Sequence, residues 1–76
     1  MIILPDTLLQ IVVSGGGVII DLKKQVMLPD TLRQLAHAAS ISGGWVVIKL
    51  SDSVMMPDLM RELALHGKGH VIFDLS

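Results

Sequence analysis

Cysteine is absent from the 76 residues of the chain. Without it the fold has no disulfide and no thiolate-bound metal to stabilise it. An excess of charge of one sign is also absent, because six Lys and Arg stand against seven Asp and Glu. The formal net charge of −1 provides no general attraction to nucleic acid or to an anionic membrane. The sequence therefore disfavours nucleic acid as a partner.

Long hydrophobic runs are missing as well. Charged residues or glycines interrupt every apolar stretch before it reaches the roughly 18 residues that a membrane-spanning helix needs. Asp6 interrupts the apolar N-terminal stretch, which argues against a signal peptide. We therefore expect a cytoplasmic protein with no membrane partner.

Apolar residues are abundant, since 51% of the chain is hydrophobic and only 17% is charged. This composition is typical of a folded chain and not of a disordered one. A length of 76 residues leaves room for one domain. A chain of this size buries only about 60–65% of the surface that its unfolded form exposes, so we expect a small core.

The chain contains an internal repeat. Each copy begins with an apolar residue followed by Pro-Asp, and each continues to glycines and a short apolar run. The opening segments are 2–8, 26–32 and 54–60, and the apolar runs are 18–22, 45–50 and 71–75. We predict one domain, 1–76, made of three repeats at about 1–24, 25–52 and 53–76.

Each Pro-Asp pair predicts the start of a helix. Proline suits the first helical position because an N–H there would have no partner. The neighbouring Asp6, Asp30 and Asp58 can accept hydrogen bonds from the free amides of the first turn, at the positive end of the helix dipole. The predicted helix ends are Gly15 to Gly17, Gly43 with Gly44, and Gly67 with Gly69. The predicted buried faces are Leu32, Leu35, Ala36 and Ala39 in the second helix, and Leu59, Leu63 and Ala64 in the third.

The apolar runs are predicted strands because they are short and β-branched and end in a charged residue. Alignment of the three runs gives one wholly apolar face, which should receive the helices. Its members are Val18, Ile20, Leu22, Val46, Ile48, Leu50, Val71, Phe73 and Leu75. In a parallel sheet the other face carries Asp21, Lys49 and Asp74 side by side, where opposite charges contribute about 0.2–1 kcal/mol each. We therefore predict an α/β fold: three βα-type repeats that form a small, mainly parallel sheet with three helices on one face.

The face of this sheet without helices is the candidate functional surface. Right-handed crossovers place all the connecting helices on one side, whereas parallel sheets are normally covered on both faces. The apolar side chains left on the other side are Ile19, Trp45, Val47 and Ile72. We call this side the helix-free face and predict that it binds a second copy or a protein partner. The charged residues Asp21, Lys49 and Asp74 would then set the register of this association.

Two alternatives would leave this face covered. The segments 26–27 and 54–56 could fold back as extra strands, and Trp45 could pack in an ordinary core. Trp45 is nevertheless the single tryptophan of the chain, and tryptophan is enriched among the residues that dominate interfaces.

The segment 45–55 has the spacing W-x-x-I-x-L-x-x-S-x-M, repeated near 28 residues with a helix after it. This pattern resembles a leucine-rich repeat of the long, helix-bearing kind. That family has asparagine where this chain has Ser53 and Gln25, and its first leucine-like position is Gly17 or His70 in the other repeats. The resemblance implies a fragment of a βα solenoid whose strand face binds protein.

The segment 26–48 contains V-x-L-P-x-x-L-R-x-L and then, after glycine, V-x-I. It is similar to swapped-hairpin transcription factors of the bacterial transition-state regulator and antitoxin class. The resemblance implies a dimeric regulator that binds DNA with basic residues. Lys23 and Lys24 form the sole basic pair of the chain, and two phosphate contacts contribute little binding. A small DNA-binding regulator is therefore the alternative function.

The sequence predicts no catalytic, cofactor-binding or metal-binding residues. His37, His66 and His70 lack cysteine or carboxylate partners at metal-ligand spacing. The glycines follow the helices and precede the strands, which is the reverse of the order in a nucleotide-binding loop. We predict a non-enzymatic protein-interaction or assembly module, homo-oligomeric through the helix-free face.

Overall fold

A computed structural model of the protein describes residues 4–51 and 54–75. Within these ranges helices and strands alternate. Their order is α1 (Pro5–Val13), β1 (Gly17–Asp21), α2 (Pro29–Ser42), β2 (Trp45–Lys49), α3 (Pro57–Gly67) and β3 (Val71–Asp74). The predicted α/β architecture is confirmed. Ser53, the first residues of the opening segment 2–8 and the outer ends of the predicted repeats lie outside the described residues.

The three strands form one parallel sheet in the order β1-β2-β3. Val46 of β2 pairs with Val18 on one side and Val71 on the other. The predicted register is therefore confirmed. Lys49 lies between Asp21 and Asp74, as the alignment of the three apolar runs requires.

The helices begin at the predicted prolines, but Asp30 and Asp58 bond arginine side chains and not the backbone amides that were predicted. Proline occupies the first turn of each helix, and a leucine or methionine without a polar side chain holds the N-cap. Asp30 pairs with Arg33 at 2.7 Å, and Asp58 pairs with Arg61. These carboxylate–arginine pairs stand in place of the predicted bonds to backbone amides. The reason is that proline at the first helical position places aspartate two residues after the N-cap, the position from which amides are normally bonded.

The core lies between the helices and one face of the sheet. Its buried members are Leu8, Val12, Val18, Ile20, Leu32, Leu35, Ala36, Ala39, Val46, Ile48 and Leu63. All three helices contribute to it, so they pack on the same side of the sheet, as predicted. The predicted buried face of α2 is confirmed residue by residue.

Two residues predicted to be buried are exposed. Ala64 of α3 faces solvent, and Leu75 lies beyond the end of β3 with its side chain largely exposed. Leu22 and Leu50, its counterparts in the other repeats, pack against the core. Both errors fall on the last repeat, because no further helix or strand of the described chain packs beyond it.

The helix ends match the glycines in part. Helix α2 ends at Gly43, which has the left-handed conformation with φ 80°. Helix α3 continues through Gly67, and Lys68 takes the left-handed position instead, with φ 49°. Gly67 serves packing, because a Cβ there would lie 2.3 Å from Cγ2 of Val71. None of the helices in the described ranges has the length and hydrophobicity that crossing a bilayer requires.

Candidate interaction surface

The helix-free face carries the alternate residues of the three strands. Ile19 is 70% exposed, Ile72 is 47% exposed and Trp45 is 44% exposed, while Val47 at the centre is half-buried. Their neighbours along each strand point into the core. Parallel pairing therefore brings the four predicted apolar residues together on one surface.

Trp45 contacts His70, which the alignment of the strands places on the same face of the sheet. The rings of Trp45 and His70 lie 4.8 Å apart at a tilt of 42°. Nδ1 of His70 is 2.8 Å from the carbonyl oxygen of Gly44. A backbone anchor of this kind fixes the imidazole and, through it, the indole. The signal for this contact was available, because the register that pairs Val46 with Val71 also places His70 beside Trp45.

A row of charged residues borders the face at the carboxyl ends of the strands. Asp21, Lys49 and Asp74 are register neighbours, so opposite charges alternate across the row. The backbone N–H of Lys23 donates to the Asp21 carboxylate at 3.0 Å. This bond is the main reason why the pKa of Asp21 lies below its ordinary value, with help from the Ser51 hydroxyl and the Lys49 charge.

The loops do not cover this face. The segments 26–28 and 54–56 form no strand. Val26 and Val54 are almost fully exposed, and Met27 and Met55 pack against the core on the helix side of the sheet. The alternative in which these segments fold back as extra strands is therefore wrong.

Two grooves lie elsewhere on the molecule. One, of about 430 Å³, runs between α1 and α2, and His37 is the only titratable group lining it in the described part of the chain. The other, of about 400 Å³, lies between α2 and α3, where Arg33 bonds Glu62 at 2.8 Å. Neither groove brings an acid, a base and a nucleophile together. Across residues 4–51 and 54–75, no three His, Cys, Asp or Glu side chains are placed to share a metal ion.

The basic pair considered for DNA binding lies in the turn after β1. Lys23 and Lys24 are both exposed, close in sequence to Asp21, which offsets part of their charge. Both strand pairs in residues 4–51 and 54–75 are parallel, so this part of the chain contains no β-hairpin.

No family model, curated protein or solved structure matches the chain. The function is therefore inferred from the chemistry of the surface alone.

Proposed function

We propose that the protein is a non-enzymatic assembly module that binds a second copy of itself through the helix-free face. The observation that carries this proposal is the exposure of Ile19, Trp45 and Ile72 on one side of a fully parallel sheet. Parallel sheets are normally buried on both faces. In the described residues this sheet is buried on one face, and a second copy would supply the second layer.

Covering the face contributes a favourable free energy to association. Full burial of a large apolar side chain contributes roughly 1.5–3 kcal/mol. A symmetric dimer buries each such residue in both copies, so each residue contributes to the free energy twice. The molecule is a slab of 30 × 29 × 20 Å between Cα atoms, so its broad side can accommodate the roughly 800 Å² per partner that a standard interface buries.

The arrangement of residue types also suits an interface. Apolar side chains occupy the centre, and the charged row of Asp21, Lys49 and Asp74 lies at the border. Interfaces have this pattern of apolar core and polar rim. Trp45, already held against His70, loses little side-chain freedom on binding, and rigid tryptophans are frequent binding hot spots.

Replacement of Trp45 by aspartate tests the proposal. We expect sedimentation velocity to show the wild type as a dimer or larger species at micromolar concentration. Trp45→Asp should sediment as a smaller species, because a carboxylate within the apolar patch would be desolvated without a partner. A wild-type chain that remains monomeric at high micromolar concentration would contradict the proposal.

Ile41→Asp is the matched control. Ile41 is an exposed apolar residue on α2, away from the helix-free face. The Ile41→Asp substitution introduces the same charge as Trp45→Asp, and it should leave the sedimentation coefficient unchanged. Far-ultraviolet circular dichroism of both variants confirms that each remains folded. If both variants reduced the mass equally, the effect would be due to added charge and not to the face.

A further inference from the structure

The strand at the end of the sheet leaves core residues uncovered. Val46 and Ile48 of β2 are completely buried. Their register partners on β3, Val71 and Phe73, are only half-buried although they point to the same side. The strand β2 has a strand on each side, whereas β3 has one only on the β2 side.

Helix α3 shows the same difference from α2. Leu32 and Ala36 of α2 are buried, and they stand three and seven residues after the proline that begins the helix. Met60 and Ala64 occupy those positions in α3, where Met60 is half-buried and Ala64 is exposed. The uncovered residues of helix and strand therefore belong to one flank of the molecule. We call it the α3–β3 flank, formed by Met60, Ala64, Val71 and Phe73.

The opposite flank is covered along its strand. Val18 and Ile20 of β1 are buried although β1 is also at an edge of the described sheet, whereas Ile11 of α1 is 39% exposed. The two flanks of the sheet are therefore not equivalent, and the apolar surface that needs a cover is at β3.

We propose that the α3–β3 flank binds the same flank of a second copy, so that two β3 strands pair antiparallel and the two sheets become one sheet of six strands. This interface is separate from the helix-free face and does not depend on it. A two-fold arrangement closes on itself, and it covers the exposed flank of both copies at once.

Hydrogen bonding within the sheet determines which registers are possible. Val46 donates to the carbonyl of His70, and Leu50 donates to the carbonyl of Asp74. The even-numbered residues of β3 thus bond β2, and the backbone groups of Val71 and Phe73 point to the open edge. An antiparallel partner can use these groups when Val71 lies opposite Phe73 of the second copy. Ile72 then lies opposite its own equivalent.

The charges favour this register. It places His70 of each copy opposite Asp74 of the other, so a hydrogen-bonding or oppositely charged pair forms at each end of the new ladder. Head-to-tail growth, in which β3 pairs parallel with β1 of the next copy, would instead continue the charged row with Asp74 beside Asp21. Like charges in cross-strand positions are destabilising.

A charge placed on the flank tests this interface. Ala64→Glu should reduce the sedimenting mass of the wild-type assembly, because it introduces a carboxylate where two α3 helices meet. Leu65→Glu is the matched control, since Leu65 is exposed on the same helix and points away from both the core and the flank. It should leave the mass unchanged. Unchanged mass in Ala64→Glu would overturn the inference.

A single cysteine tests the register directly. Directly opposite residues in a non-hydrogen-bonded antiparallel pair have Cα atoms about 4.5 Å apart, within the range of a disulfide. Because the chain has no cysteine, Ile72→Cys should form one intermolecular disulfide under mild oxidation. Ile19→Cys, equally placed on the helix-free face but on β1, should not. Equal cross-linking of both variants, or none of Ile72→Cys, would overturn the proposed pairing.

The two interfaces can fail independently in these experiments. If only Trp45→Asp lowers the mass, the helix-free face associates and the flank does not. If only Ala64→Glu lowers it, the flank associates and the proposed function fails. Stacked faces would keep sheets about 10 Å apart, too far for the Ile72→Cys disulfide. When both interfaces form, the variant with both substitutions has the 8.2 kDa mass of one chain.

Discussion

Gly67 places helix α3 directly against strand β3. A Cβ at this position would lie 2.3 Å from Cγ2 and 3.0 Å from Cβ of Val71, and 3.9 Å from Cβ of Ala36. The residue is helical and buried, so its value comes from the missing side chain and not from an unusual backbone angle. Close packing of this kind makes the junction sensitive to a single methyl group.

Gly67→Ala should lower the free energy of unfolding by about 1–3 kcal/mol. The added methyl group overlaps Val71 and forces the helix from the strand, which outweighs the higher helix propensity of alanine. Urea denaturation followed by circular dichroism measures the effect. In a Val71→Ala background the cost of Gly67→Ala should be smaller, because the overlapping Cγ2 is gone. An equal cost in both backgrounds would show that the contact is not the cause.

Among the elements, the carboxyl ends of the three strands carry side chains of alternating charge: Asp21, Lys49 and Asp74. Contacts that favour the ionised form of Asp21 come from the N–H of Lys23, the hydroxyl of Ser51 and the charge of Lys49. These contacts exist only in the folded state. They therefore stabilise the fold wherever Asp21 is ionised.

Asp21→Asn should reveal this contribution as a dependence on pH. The pKa of Asp21 is lowered in the folded protein, so its stabilisation is fully present above the ordinary value of 3.8 and is lost as the pH falls through the folded pKa. The difference in unfolding free energy between wild type and variant should be constant near neutrality and should shrink below pH 3.8. Urea denaturation across this range measures it.

Asp21→Ala separates the charge from the hydrogen bond. Asparagine retains a side-chain oxygen that can accept from Lys23, whereas alanine leaves this N–H without its acceptor. Alanine should therefore be the more destabilising substitution near neutral pH. A wild-type advantage over Asp21→Asn that persists undiminished in acid would contradict the role given to the carboxylate.

The whole molecule is a two-layer slab with the helices on one side of the sheet. The helix-free face exposes large apolar side chains, and the α3–β3 flank leaves Met60, Val71 and Phe73 half-buried and Ala64 exposed. A domain of this size has little stability to spare, so covering these surfaces should raise it.

The wild-type melting temperature should accordingly rise with protein concentration. Any partner that binds only the folded chain stabilises it by mass action. For a dimer of this size the expected rise is on the order of 5–10 °C over a hundredfold range of concentration. Differential scanning calorimetry or thermal circular dichroism measures it. The rise should vanish in the variant that carries both Trp45→Asp and Ala64→Glu, and a wild-type value independent of concentration would contradict both interfaces.

The elements, the register and the composition of the helix-free face could be predicted from the sequence. Proline marks the first turn of each helix, the alternation around Val18, Val46 and Val71 identifies the apolar side of each strand, and the match of Asp21 with Lys49 and Asp74 gives the register. The exposure of Ala64 and Leu75 could not be predicted from the sequence. Helical and strand periodicity tell which side of an element is apolar, but not whether a neighbour exists to cover that side. Exposure at the end of a sheet depends on which helices and strands pack beside it, which is a property of the folded chain.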